Sequence, residues 1–338
     1  MRRPKSWLKS LLLRISPDTY DNLIRFLSAP SVRAVRGTWN RMKGERLVRS
    51  GRPFRVDIVS RMGFGASLTT AVVVCHFFRD RPGFRGVISS NPLYQNKEIS
   101  SDVFDMYFQR VGRPCESDCA TISYRFPADL TLKDIELGLT LRDAHESFYR
   151  NFAIREQFID EARAIFNDGF EEAVGVHFRG SDKRLEVKRI AFEDVVAAVD
   201  LAMEVCGCEN LFVATDEAAF LEFAEQRYGK HRTRSLECKH LSDGISGAHY
   251  LSGDGFQKGR EALVTLLALS MCKLCVRAPS HLSAWAKILN LDLAVMMFGT
   301  SIAPPSFPEA EIARIAIKPS VTPRSTEDAD LPVFGADD

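Results

Sequence analysis

Short apolar runs alternate with apolar stretches of helical length along this chain, and their order predicts its architecture. Val56 to Ser60 reads as a buried strand, Arg61-Met-Gly-Phe-Gly-Ala-Ser-Leu68 as a turn, and Thr69 to Phe78 as a buried helix. A second strand is expected at Gly86 to Ser89, ending in the polar loop Ser90-Asn-Pro-Leu-Tyr-Gln-Asn. Between Leu130 and Phe170 the pattern becomes helical and charged, with Phe148, Phe152, Phe158, Ala162 and Ile165 spaced as on amphipathic faces. After Glu172 the alternation is sustained: strand Ala173 to Phe178, helix Phe192 to Val205, strand Leu211 to Ala214 and helix Glu217 to Tyr228. Helix Gly259 to Met271, strand Leu274 to Val276, helix His281 to Leu289 and strand Leu291 to Phe298 complete it. Such alternation predicts an α/β fold, a mostly parallel sheet covered by helices on both faces.

A chain of 338 residues is long for one core. The pattern divides it into a basic N-terminal segment (1–50), a first α/β domain (51–150) and a second (151–302). Residues 303–338, rich in Pro, Ser, Thr and acid, are expected to be extended or disordered. Charge follows this division. Residues 1–56 hold fourteen Lys and Arg against Asp18, Asp21 and Glu45, a balance of +11, while the remainder carries −10. A nucleic-acid-binding protein would more often be basic throughout, so none is expected as partner.

The longest apolar stretch, Ala262 to Val276, is interrupted by Lys273 and is too short for a membrane helix of ~20 residues. Trp7 to Ile15, set among Arg2, Arg3, Lys5, Lys9 and Arg14, lacks the apolar length and cleavage site of a signal peptide. A cytoplasmic location is therefore expected, with residues 1–16 suited to an anionic membrane surface on the inner face. Cys272-Lys-Leu-Cys275 and Cys206-Gly-Cys208 have metal-like spacings, but they abut apolar segments, and packing is the better reading.

Two segments carry candidate chemistry. In Gly63-Phe-Gly65-Ala-Ser-Leu68 the glycines would let backbone N–H groups approach a ligand where a helix opens, and a purely structural tight turn explains the motif equally well. It lacks the third glycine of the dinucleotide fingerprint, and the second strand ends in serines, which disfavours nicotinamide chemistry. The stronger segment is Val174-Gly-Val-His177-Phe-Arg179-Gly-Ser-Asp182-Lys183, an apolar strand running into an imidazole, two cations and a carboxylate. Ligands of open parallel sheets bind beyond the carboxyl ends of strands, and His177 and Arg179, two apart, point to the same side. The bland alternative is an Arg179–Asp182 ion pair and a core His177, and four polar groups at one strand end outweigh it.

These residues resemble the fucosyltransferase family of bacterial nodulation enzymes and eukaryotic core and protein O-fucosyltransferases. His177-Phe-Arg179-Gly-Ser-Asp182-Lys183 is similar to the family's H-x-R-x-x-D-K strand-end motif, and Leu211-Phe-Val-Ala-Thr-Asp216-Glu217 to its strand ending in T/S-D-D. Ala268 to His281 resembles its third motif, and Gly63-Phe-Gly65 its N-terminal Gly turn, so the likeness runs in order over residues 56–300. The resemblance implies two Rossmann-like domains facing a cleft, GT-B-like, with the C-terminal domain binding GDP-fucose as donor. It implies that Arg179 grips the β-phosphate, His177 approaches the guanine side, Asp216 and Glu217 line the nucleoside pocket, and Ser280 or His281 meets the phosphate. Val264 or Thr265 stands where the core fucosyltransferases have an acidic residue. Glu186 is the candidate general base with Lys183 beside it, matched through a one-residue gap.

Breaking a sugar-diphosphate bond leaves charge on the departing phosphate, which a planar guanidinium can accept through paired hydrogen bonds. The only Asp-x-Asp is Asp328-Ala-Asp330, in the tail, so no metal or other cofactor is expected. The expectation is a metal-independent inverting transferase acting on a glycan or glycolipid acceptor. The alternatives are a phosphohydrolase or phosphotransferase using the same Arg and Asp cluster, and a sugar-nucleotide binding module without catalysis.

Overall fold

Strand β1 (Phe54–Ile58) alternates buried and half-buried residues and leads through Gly63 into α1 (Phe64–Phe78), a helix buried along most of its length. The computed structural model describes residues 46–59, 61–112, 119–124, 138–170, 172–179, 190–236, 253–298 and 306–317. Residues 1–45, most of the basic segment, lie outside them together with the stretch 1–16 expected to suit a membrane surface, as do Asp182, Lys183 and Glu186. β1 pairs in parallel with β2 (Phe84–Ser89) on one side and β4 (Ala120–Tyr124) on the other, giving the order β2-β1-β4.

A short helix α2 (Val103–Tyr107) and a two-stranded antiparallel ribbon, β3 (Phe108–Arg110) with β5 (Phe152–Ile154), fill the connection. Between the ribbon strands runs α3 (Leu141–Asn151), opened by a reciprocal Thr140–Asp143 capping box; α4 (Glu156–Ala164) follows. Phe152 is thus a strand residue between two helices, where periodicity alone suggests an unbroken helical stretch.

The second sheet is parallel throughout, in the order β10-β9-β6-β7-β8. Its members are β6 (Ala173–Phe178), β7 (Asn210–Thr215), β8 (Thr233–Ser235), β9 (Leu274–Arg277) and β10 (Ala294–Met297). One face is covered by α5 (Phe192–Cys206) and α6 (Ala218–Tyr228), which enclose Val174, Val176, Phe178, Leu211, Val213 and Val276. The other face meets α7 (Gly255–Met271) and α8 (His281–Leu289). A single apolar core runs from Phe54 and Val72 through Phe148 to Leu266, Trp285 and Ile312, so both sheets share this helical layer. Cys272 and Cys275 are part of it, and burial pushes the Cys275 thiol up to about 12. No helix among the described residues is long and apolar enough to cross a membrane; Ala262 to Val276 is divided between α7 and β9.

One expectation fails. Residues 306–317, in the stretch expected to be extended, carry helix α9 (Glu309–Ile315). Phe307 and Ile312 are buried in the shared core, and Ile317 bridges to Met296 beside β10. Composition averaged over the tail hides these apolar residues, whose burial offsets the ordering entropy of a short segment.

Candidate functional site

Side chains alternate across a strand, so the face of β6 that carries Ala173, Gly175 and His177 is opposite to the α5/α6 side. That face looks onto α7: a side chain at Gly175 would press on Cys272 Sγ and Leu269. Register places His177 between Ala214 of β7 and Arg277 of β9, and Phe178 beside Thr215. The next residues, Arg179 and Asp216, therefore emerge from adjacent strand ends. Arg179 Nε lies 3.8 Å from Asp216 Oδ2, too far for a good hydrogen bond, and both side chains keep some exposure. Glu217, buried at the start of α6, has its N–H donating to Thr215 Oγ1 at 3.1 Å.

At the end of β9 the chain turns through Ser280 into α8. Ser280 is the N-cap, in extended conformation, yet its side chain caps nothing. Its hydroxyl, on a residue only 2% exposed, has no hydrogen-bond partner among the described residues. The first turn of α8 also touches the first turn of α1: a Cβ at Gly65 would lie 2.7 Å from His281 C and Leu282 N. Gly65 is thus a close-approach glycine between two helix N-termini, whereas Gly63 has ordinary φ and open space around it. Thr69, one turn along α1, ties the two together. Its Oγ1 lies 3.0 Å from Gly65 O, 3.2 Å from His281 Nδ1 and 3.0 Å from Trp285 Nε1. A hydroxyl has one proton, so all three are hydrogen bonds only if Thr69 donates to Gly65 O while Trp285 and His281 Nδ1–H donate to Thr69.

The polar loop after β2 steadies α1 from the other side. Asn91 Nδ2 donates to Met62 O at 2.8 Å and Ser67 Oγ at 3.1 Å, and Phe64 N–H donates to Tyr94 Oη at 2.9 Å. The structure therefore brings together His177, Arg179, Asp216, Glu217, Ser280 and His281 at the carboxyl ends of β6, β7 and β9. Gly65 joins them through α1. The N-termini of α1 and α8, whose first N–H groups have no intrahelical acceptor, converge here and favour an anion.

No protein-family model matches the chain, and no curated protein matches it by sequence. Solved structures do. NodZ α-1,6-fucosyltransferase from Bradyrhizobium, soaked with GDP-fucose, superimposes with a TM-score of 0.50 at 16% identity, covering 75% of this chain and 100% of that one. The chain has the two-sheet glycosyltransferase fold of that fucosyltransferase. Arabidopsis thaliana FUT1 in complex with GDP (TM-score 0.45, 12% identity, 88% of this chain and 80% of that one) is a more distant likeness. POFUT1 with GDP (0.41, 11%, 73% and 99%) is another.

Within this fold, sequence reasoning missed a buried, densely hydrogen-bonded polar cluster. Arg277, wholly buried, donates from Nε to Ser283 Oγ at 2.8 Å, from Nη2 to Ser280 O at 2.8 Å, and from Nη1 to Glu309 Oε2 at 3.0 Å. Its Nη2 also bonds Glu309 Oε1, which accepts Ser280 N–H at 2.8 Å as well. Burial alone would raise the Glu309 carboxyl, but the Arg277 charge and these hydrogen bonds outweigh it and hold it below the ordinary range. Glu309 lies 32 residues beyond Arg277, and no local pattern announces such a pairing.

Proposed function

We propose that this protein is a glycosyltransferase that moves fucose from GDP-fucose to a hydroxyl of a glycan or glycolipid. The observation that carries this reading is the unpartnered, buried hydroxyl of Ser280 at the mouth of α8, in a ring of strand ends that also holds His177 and Arg179. The fold shared with a fucosyltransferase solved with GDP-fucose supports it. In this reading the two sheets belong to two domains dividing near residue 150, and the second holds the donor.

The acceptor hydroxyl attacks the anomeric carbon as the bond to the β-phosphate breaks. GDP leaves, and a base takes the hydroxyl proton. Arg179, partly exposed beside Asp216, turns its guanidinium to the departing phosphate, while Ser280 Oγ–H and the first N–H groups of α8 donate to it. Such preorganised donors act where charge develops, without reorganising at the moment of reaction, and they make a metal unnecessary. His177, Asp216 and Glu217 line the nucleoside side. Lys183 and Glu186 are assigned as base partner and base. Glu186→Gln is expected to lower turnover by ~10²–10⁴ while leaving GDP affinity intact.

The deciding experiment incubates the protein with GDP-fucose, with and without candidate acceptors and EDTA, and follows GDP. Acceptor-dependent GDP release that survives EDTA supports the reading. Release of inorganic phosphate would instead indicate a phosphohydrolase, and binding without turnover a sugar-nucleotide binding module.

A further inference from the structure

We propose that Glu309 is a positioning residue for the phosphate end of the site, acting through Arg277 on the first turn of α8; this rests on the donor reading above. Ser280 is gripped on both sides of its backbone. Glu309 Oε1 accepts its N–H, and Arg277 Nη2 donates to its carbonyl oxygen, at 2.8 Å each. Arg277 Nε holds Ser283 Oγ three residues further on. Among the described residues, every hydrogen-bond partner of the Arg277 side chain is therefore either Glu309 or a residue of the α8 entry turn.

The consequence appears at the Ser280 hydroxyl. An N-cap serine ordinarily turns its oxygen onto a backbone N–H of its own helix. Here the entry turn is fixed from outside by the Arg277–Glu309 fork, and Ser280 Oγ makes no such bond. Fixing the backbone externally leaves the hydroxyl for a ligand. It also keeps the α8 N–H groups aimed in one direction, and misplacement of a binding group by about 1 Å can cost up to ~100-fold. The carboxylate does not repel an anion as a lone charge would, because it is bidentate with a buried guanidinium.

In this arrangement α9 carries Glu309 to the α8 entry turn. Phe307 and Ile312, flanking it, are buried in the shared core, and Ile317 N–H donates to Val295 O at 2.8 Å. The segment thus returns across the end of the sheet and places one side chain under the site.

The test titrates wild-type, Glu309→Gln and Ile312→Ala proteins with GDP and with guanosine, which lacks the phosphates, at a temperature where circular dichroism shows all three folded. The expected result is a loss of about tenfold or more in GDP affinity for Glu309→Gln, with guanosine affinity unchanged. Ile312→Ala, which weakens α9 packing but keeps the carboxylate, should bind GDP as wild type does. Equal losses for GDP and guanosine, equal losses in the two variants, or no loss in Glu309→Gln would each overturn the proposal. If wild-type protein takes up inorganic pyrophosphate but not GDP, the donor reading fails, and the same variants titrated with pyrophosphate decide the positioning role. Protein that takes up neither overturns both.

Discussion

Two arginines stand at carboxyl ends of strands in one sheet, and the structure treats them oppositely. Arg277, at the end of β9, is wholly buried and bonded at every nitrogen to Glu309, Ser280 and Ser283. Arg179, just past β6, keeps part of its surface exposed and meets Asp216 at 3.8 Å. The first is committed to shaping a turn. The second stands partly open to solvent at the strand end where ligands of such sheets bind. The contrast teaches that a charged residue at a strand end is not by itself a binding residue; how far protein encloses it bears on the role.

The largest effect that sharpens the contrast is on stability. Arg277→Ala leaves a buried Glu309 carboxylate without its cation and is expected to cost ~3–5 kcal/mol, measured by urea unfolding. Arg179→Ala should cost less, on the order of 1 kcal/mol, in the same measurement, since its side chain keeps part of its surface in solvent. Equal stability losses would erase the distinction.

Turnover should reverse the order of importance. Removing one charge-stabilising donor typically costs ~2.7–4 kcal/mol in the transition state, so Arg179→Ala should lose that much in kcat/KM while remaining folded. A variant within twofold of wild type would remove Arg179 from the site.

The third expectation concerns the other support of α8. Gly65→Ala would place a methyl 2.7 Å from the His281–Leu282 backbone, which cannot retreat as a side-chain tip can. Overpacking of this kind costs ~1–3 kcal/mol, and the Thr69–His281 contact should loosen with it. By comparison Gly175→Ala meets the Cys272 side chain and should be milder.

The smallest effect is in pH. The Glu309 carboxyl is held below its ordinary value of 4.5, so the unfolded chain binds its proton more readily than the folded one. Its stabilising contribution is present above that ordinary value and is lost as pH falls through the lowered folded value. The stability difference between wild type and Glu309→Gln should shrink as acid is added below pH 4.5, and a constant difference would mean the carboxylate charge does not matter.

Much of the second sheet was legible because its strands are continuous apolar runs. Ala173–Phe178 and His281–Leu289 occur with the expected bounds, and β7 and α5 differ by a residue or so at their ends. The early helix was read from Thr69, yet it begins at Phe64, because Gly63 and Gly65 are helix-entry residues rather than a separate turn. The β3–β5 ribbon was not legible: three-residue strands carry too little periodicity, and their pairing joins residues more than forty positions apart. His177, Arg179, Asp216, Ser280 and His281 stand out in the sequence as candidates because each ends a strand or opens a helix.

The sequence by itself determined the α/β alternation and the set of strand ends at which polar residues collect, because both are local consequences of side-chain period and apolar run length. Tertiary structure alone decided which of those polar residues are bound to one another. Arg277 meets Glu309 across 32 residues, and Thr69 of α1 meets His281 and Trp285 of α8 across more than two hundred. A hydrogen bond is directional and short, so its partner is fixed by how distant elements pack and not by neighbours in the chain. That packing encloses the arginine that builds the turn and leaves the other partly exposed at its strand end.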